Sequence, residues 1–225
     1  LLDPETTELS IGAKIAKEAE EAGTAAIMVG SSTLASNSDL DEAVKKINDA
    51  VEVPVILFPN NISGVSRYAD AIWFMSLLNS SNTYYIIDVQ ALTARLIRQY
   101  GLEAISMGYI IVGEGGAAGF VGQARPIPYD HPEIALGYSL ASEILGMHFV
   151  YLEAGSGARR PVPSGMIKMV KDQLTVPLIV GGGIRNREVA RNAAISGADI
   201  IVTGTLVEET EKIREKVHEI VTSII

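Results

Sequence analysis

Short runs of consecutive apolar residues, each closed by glycine, proline or asparagine, alternate along this chain with longer stretches in which apolar residues recur every three or four positions. Continuous apolar runs are the pattern of strands buried on both faces, and the three-to-four recurrence is that of the helices covering them. The segments 25–29, 53–58, 71–78, 104–112, 148–153, 176–180 and 199–203 read as strands. Leu1-Leu2, running into Asp3-Pro4-Glu5, reads as the last third of another whose beginning is expected upstream of Leu1. Between them the spacing predicts a helix over 7–22 with Ile11, Ile15, Ala19 and Ala22 facing inward and Gly23 as its stop. A second helix is capped by Asp39 and carries Leu40, Ala43, Val44 and Ile47; a long third carries Tyr85, Val89, Leu92 and Leu96; another spans 134–145.

Two intervals break the alternation. The stretch 62–70 is too short and too polar for a covering helix, so the wall there is expected to be thin. The stretch 113–132 is the longest irregular one and predicts either a lid over a site or disorder. Alternating strands and helices argue for a parallel sheet with helical crossovers. Eight such units without a composition break favour an α/β fold closed as a single (β/α)8 TIM barrel over 1–225, with a reduced third helix, rather than an open doubly wound sheet.

In that barrel three strand ends converge as glycine turns, each expected to open a helix. Tyr151-Leu152-Glu153-Ala154-Gly155-Ser156-Gly157 ends one, Gly181-Gly182-Gly183 the next and Gly204-Thr205 the third. Bare backbone amides at neighbouring strand ends make a phosphate cup. A β-branched residue at Gly183 is expected to block ligand approach while leaving the fold intact. Glu153 ends a buried strand, where an unpaired carboxylate is costly; it needs either an ion pair with Arg159, Arg160 or Arg185, or a task such as taking a proton from a hydroxyl. Asp3 and Glu5 offer carboxylates to Mg²⁺ or a helix-start signal, and Ser31, Ser32 and Thr33 offer ligands or turn residues. Trp73, Phe74 and Met75 read as core or subunit contact.

Composition narrows the partners. At 225 residues, 48% hydrophobic and with a formal net charge of -9, the chain has no broad basic face for nucleic acid. The absence of cysteine excludes disulfides and thiol catalysis and fits a cytoplasmic setting. No apolar run has the length of a membrane span, which leaves peripheral contact as the mode open to a greasy substrate.

The chain resembles the geranylgeranylglyceryl phosphate synthase family, the archaeal prenyltransferases of ether-lipid synthesis, and the related bacterial heptaprenylglyceryl phosphate synthases. The resemblance runs through Leu2-Asp3-Pro4, Val29-Gly30-Ser31-Ser32, Phe58-Pro59, Ser76-Leu77-Leu78-Asn79, the string from Tyr151 to Gly157, Val180-Gly181-Gly182-Gly183-Ile184-Arg185 and Gly204-Thr205. It implies transfer of a geranylgeranyl group from geranylgeranyl diphosphate to the 3-hydroxyl of sn-glycerol 1-phosphate, with Mg²⁺ required. It implies Glu153 as base, glycerol phosphate held by Tyr151 to Gly157, Gly182, Gly183, Gly204 and Thr205, and Mg²⁺ held by Asp3 and Ser32. It further implies a homo-oligomer, dimer or hexamer. The family often has Asp at Glu5, Gly at Ser31 and Gly-Asn at Gly204-Thr205. The competing readings are a sugar-phosphate isomerase or aldolase, disfavoured because Lys168 and Lys171 lie in a helix pattern rather than at a strand end, and a non-catalytic phosphometabolite-binding protein.

Overall fold

A computed structural model describes residues 1–4, 9–31, 37–208, 210 and 212–224. Seven parallel strands pair in chain order: β1 (Ile27–Val29), β2 (Val55–Leu57), β3 (Ala71–Leu77), β4 (Glu103–Ile111), β5 (Phe149–Glu153), β6 (Leu178–Gly181) and β7 (Ile200–Val202). The eighth position belongs to the first residues. Leu2 bridges Val29 in parallel, its amide donates to the Met28 carbonyl (2.8 Å), and the Leu1 nitrogen donates to the Thr203 carbonyl (2.8 Å). The fragment at Leu1-Leu2 thus links β1 to β7 and curls the sheet into the expected barrel.

The helices are α1 (Leu9–Glu21), α2 (Asn37–Asn48), α3 (Val89–Tyr100), α4 (Gly116–Val121), α5 (Pro132–Ile144), α6 (Ser164–Lys171), α7 (Arg187–Ile195), α8 (Thr205–Glu208) and α9 (Ile213–Ile224). Strand alternation separates two layers of core. Outward residues such as Val150, Leu152, Leu178 and Val180 pack beneath α5 and α6, while inward residues from every strand, among them Met28, Ile56, Trp73, Met107, Tyr151, Ile179 and Val202, fill the barrel. Trp73 stacks edge-on against Phe149 at 5.3 Å inside the barrel, so it is core and no subunit contact.

Four local expectations are corrected. Helix α2 starts at Asn37, which puts Asp39 inside its first turn rather than at its cap. On α1, Ile15 and Ala19 are buried, as is Ala22 just past its end, but Ile11 is exposed. Helix α3 buries Gln90, Thr93 and Ile97 and turns Leu92 outward. The cause is a π-helical turn, Tyr84–Asp88, whose extra residue rotates the face that follows it. The long 113–132 segment is neither loose nor helix-free, since it contains α4 and is pinned at both ends. Fully buried Asn79 donates from Nδ2 to the carbonyls of Ile111 (2.8 Å) and Arg125 (2.9 Å) and accepts from the Ile111 amide at 3.1 Å; Ser80 Oγ donates to the Gly122 carbonyl at 2.6 Å. The thin wall is as expected: between β2 and β3 only a single 3₁₀ turn, Ile62–Gly64, stands where a helix would.

Candidate active site

The strand ends and the pinned 113–132 segment enclose a cleft of about 1080 Å³, its open mouth included. One half is main chain and polar groups: Ser156, Gly157, Gly182, Gly183, Arg185, Thr203, Gly204 and Thr205. The other is apolar, walled by Phe58, Pro59, Met75, Leu77, Val89, Ala118 and Val121 with Tyr85. Beneath both, Phe58 meets Tyr109 and Tyr151 edge-on at 5.6 and 5.8 Å, and the two tyrosines meet at 5.2 Å. These rings carry the floor from β2 across to β5.

Glu153 stands where the halves join. Register pairs it with Ile111 on one side and Gly181 on the other, and alternation turns it inward with Tyr151. It is 7% exposed. Among the described residues no cation pairs with it. The arginines proposed for that role are engaged elsewhere where their contacts are defined: Arg185 donates to the Gly157 carbonyl (2.8 Å), and Arg160 lies over the Tyr129 ring at 4.8 Å. Burial pushes the Glu153 carboxyl above the ordinary carboxylate range; the Gly155 amide, donating to Oε1 at 2.6 Å, and the hydroxyls of Tyr151 and Tyr109 pull partly against it. Burial first, and then the Glu153 charge, pushes both tyrosine hydroxyls upward. A raised, uncompensated carboxylate open to a cleft is the arrangement of a proton acceptor for a substrate hydroxyl.

The glycines make this packing possible. Gly155, at φ +106°, lies so close to Gly115 and Gly116 that a Cβ there would sit 2.5 Å from their backbone. Gly182, at φ +79°, backs onto Glu153: its Cβ would run into Oε1 and come within 2.6 Å of the Gly155 amide. A Cβ on Gly183 would instead meet Pro161 and Ala158 at 3.1 and 3.2 Å. It would point at the neighbouring turn rather than into the cleft, so a substitution there acts through backbone strain at φ +71° and not by blocking a ligand.

The expected site residues separate accordingly. Tyr151, Glu153, Ser156, Gly157, Gly182, Gly183, Gly204 and Thr205 line the cleft. Leu152 and Ala154 do not; they are wholly buried in the outer core, because alternation gives the inward positions to Tyr151 and Glu153. Gly155 is absent from the lining as well, its amide engaged by Glu153. Nor does every glycine turn open a helix directly. Helix α6 starts only at Ser164, and α7 starts behind its cap Asn186, which accepts from the Val189 amide; only Gly204-Thr205 leads straight into a helix. Asp3, set level with Gly30 by the Leu2 pairing, is not among the residues lining the cleft, whereas Ser31 is. Ser32, Thr33 and Glu5 fall outside the described residues.

Among the described residues no group of three or more His, Asp or Glu side chains gathers as a metal centre. Mg²⁺ is commonly bound through one or two carboxylates together with substrate phosphates and water, and Asp3 is the carboxylate that would be offered to it here. Sequence reasoning missed Arg185 as the basic side chain of the polar half and Tyr109 as a neighbour of Glu153. An inward position one strand over from Tyr151 was the available signal for Tyr109.

A parallel barrel with glycine turns at adjacent strand ends and a buried carboxylate between them defines the class of phosphate-binding (β/α) barrels. Comparison with known proteins narrows that class. The chain belongs to the PcrB family, whose model matches residues 1–224. It is 54% identical over 221 residues to the geranylgeranylglyceryl phosphate synthase of Thermofilum pendens, covering 98% of this chain and 86% of that protein. It is 52% identical over 223 residues to the enzyme of the same name from Thermococcus kodakarensis, covering 98% and 88%. The crystal structure of (S)-3-O-geranylgeranylglyceryl phosphate synthase from Thermoplasma acidophilum, in complex with its substrate sn-glycerol-1-phosphate, superposes with a TM-score of 0.97 at 43% identity, over 99% of this chain and 90% of that one. Thiamine phosphate pyrophosphorylase from Pyrococcus furiosus, at 15% identity and a TM-score of 0.65, shares the fold alone.

Proposed function

We propose that this protein is a prenyltransferase joining a geranylgeranyl group from geranylgeranyl diphosphate to the 3-hydroxyl of sn-glycerol 1-phosphate, releasing diphosphate and giving 3-O-geranylgeranylglyceryl phosphate. The observation that carries the reading is Glu153, a buried carboxylate without a cation at the junction of a polar and an apolar half-cleft. The glycerol phosphate lies in the polar half, its phosphate on the amides around Gly157, Gly182, Gly183, Gly204 and Thr205 and near the Arg185 guanidinium. The isoprenoid chain lies along Met75, Leu77, Val89, Ala118 and Val121, with burial of its methylenes contributing about 0.8 kcal/mol each.

Held this way, the 3-hydroxyl faces Glu153. The allylic C–O bond to diphosphate breaks, the glycerol oxygen bonds to the same carbon, and the Glu153 carboxylate accepts the hydroxyl proton. Mg²⁺ would be held by Asp3 and, as the family resemblance implies, Ser32, and would supply charge neutralisation of the diphosphate leaving group. No helix among the described residues is long and apolar enough to cross a membrane. A homo-oligomer, dimer or hexamer, belongs to the same reading, and Phe120 at 87% and Ile144 at 84% exposure are apolar side chains that a subunit contact would cover. The cysteine-free composition fits a cytoplasmic setting.

The test is incubation with both substrates, with and without Mg²⁺, and identification of the product by mass spectrometry. The ether-linked phosphate, formed only with the ion, is expected. Glycerol phosphate that binds but yields no ether would leave the chain a phosphometabolite-binding protein.

A further inference from the structure

Positive charge is unevenly placed on this acidic chain. The formal net charge is -9, yet five of the ten arginines, Arg159, Arg160, Arg185, Arg187 and Arg191, fall within 159–191. Among the described residues none of these five pairs with a carboxylate, whereas seven of the eight lysines do. Three of the five stand on the two turns that frame the polar half of the cleft. Arg185 lines that half and donates to the Gly157 carbonyl at 2.8 Å. The turn 157–161 folds back against Gly183, whose Cβ would meet Pro161 and Ala158 at 3.1 and 3.2 Å, and it carries Arg159 and Arg160, both exposed. Arg160 is held in place: its guanidinium lies 4.8 Å from the centre of the Tyr129 ring, and the Tyr129 hydroxyl donates to its carbonyl at 2.8 Å. Glu114 and then Glu153 are the carboxylates that bear on that hydroxyl, and neither forms an ion pair with Arg160.

We infer that Arg159, Arg160 and Arg185 form a capture rim for a phosphate monoester dianion, drawing sn-glycerol 1-phosphate to the mouth of the polar half before the glycine-turn amides take hold of it. A protein of net charge -9 repels a dianion from a distance, so only a local surplus of cations can reverse the field at the entrance. Guanidinium groups keep their charge at every working pH, and here no carboxylate neutralises them. Arg159 and Arg160 are not part of the cleft lining, so they act on the approaching anion and not on the bound one. Steering of this kind raises the association rate and leaves dissociation to the contacts deeper in the site. The inference rests on the glycerol phosphate reading of the polar half and adds how that substrate is gathered.

The experiment measures sn-glycerol 1-phosphate binding to the full chain across a salt series, with Kd from calorimetry, the dissociation rate from phosphorus NMR line shapes and the association rate as their quotient. The double variant Arg159→Gln/Arg160→Gln should associate about threefold to tenfold more slowly than the parent at about 10 mM ionic strength, where charges act over about 30 Å. Near 1 M, where they act over about 3 Å, the two should coincide, and dissociation should match throughout. Lys168→Gln, which removes a cation already paired with Asp172 on α6, should follow the parent at every salt concentration. Should the double variant not fold, Arg159→Gln alone decides with a smaller shift of the same sign, since the Arg159 side chain is exposed and in no ion pair among the described residues. A parental association rate that ignores salt, or a variant with the parent's rate and salt slope, overturns the inference and leaves the glycerol phosphate reading standing. So does a loss that lies in dissociation and persists near 1 M salt. A parent that binds no glycerol phosphate at all overturns both.

Discussion

Between β5 and β7 the cleft is walled by main chain, and from β2 round to α4 it is walled by side chains carried on β3, on the starts of short or irregular helical segments and on the turn after β2. The first half works by closeness: Gly155 lies against Gly115 and Gly116, and Gly182 against Glu153, with no room for a side chain. The second works by fastening: Asn79 and Ser80 tie the segment carrying α4 to the end of β3, and Gln90 ties the π-helical turn to β3, in a surface that regular helices would otherwise supply. Backbone amides set at fixed distances suit a phosphate, whose geometry does not vary. Side chains on adjustable turns suit a chain of methylenes, which asks for apolar area and no particular direction. Glu153 belongs to the first half by packing and serves both by position.

If this division holds, changes in the two halves should damage different substrates. The largest effect is expected from Gly182→Val. At φ +79° and against Glu153 Oε1 the new side chain should cost about 3 kcal/mol or more in stability and abolish glycerol phosphate binding, as thermal melting and calorimetry will show. Asn79→Ala comes next. It leaves the buried Ile111 amide and carbonyl without their side-chain partners, at about 2–3 kcal/mol, and should raise KM for the prenyl diphosphate while the Kd for glycerol phosphate stays near the parent's. Equal weakening of both substrates would erase the division.

Arg185→Met should weaken glycerol phosphate binding about tenfold, through loss of a charge-assisted contact and of the tether on Gly157, with Arg185→Lys restoring part of it. The smallest effect concerns stability. The folded state raises the Glu153 pKa, so its contribution is present below the unfolded value and is lost as pH rises through the folded one. Glu153→Gln should therefore melt higher than the parent at neutral pH, and that advantage should shrink in acid.

The same division explains what could be read from sequence. The amide half was legible because its chemistry is written in residue types: a run ending in Glu153 and glycines at three strand ends leave few alternatives. Within it, strand alternation was the piece overlooked, and it removes Leu152 and Ala154 from the cleft. The apolar half was legible only as gaps in a pattern. The thin wall at 62–70 was foreseen, yet the π-helical turn that moves Gln90 inward and Leu92 outward has no residue signature, and Asn79 reads as any turn asparagine until its three bonds are seen. Fastening by long-range hydrogen bonds depends on partners 32 and 46 residues away, which local spacing does not report.

The central claim is that Glu153 accepts the proton of the glycerol hydroxyl at the junction of the two halves. It is tested most directly by the pH dependence of kcat/KM for the parent and for Glu153→Gln. In the parent, the rate should rise through an apparent pKa above the ordinary carboxylate range. The variant should bind glycerol phosphate as the parent does, turn over about 10²-fold more slowly or worse, and lack that rise. A variant that retains near-parental turnover, or the same rising limb, would contradict the account.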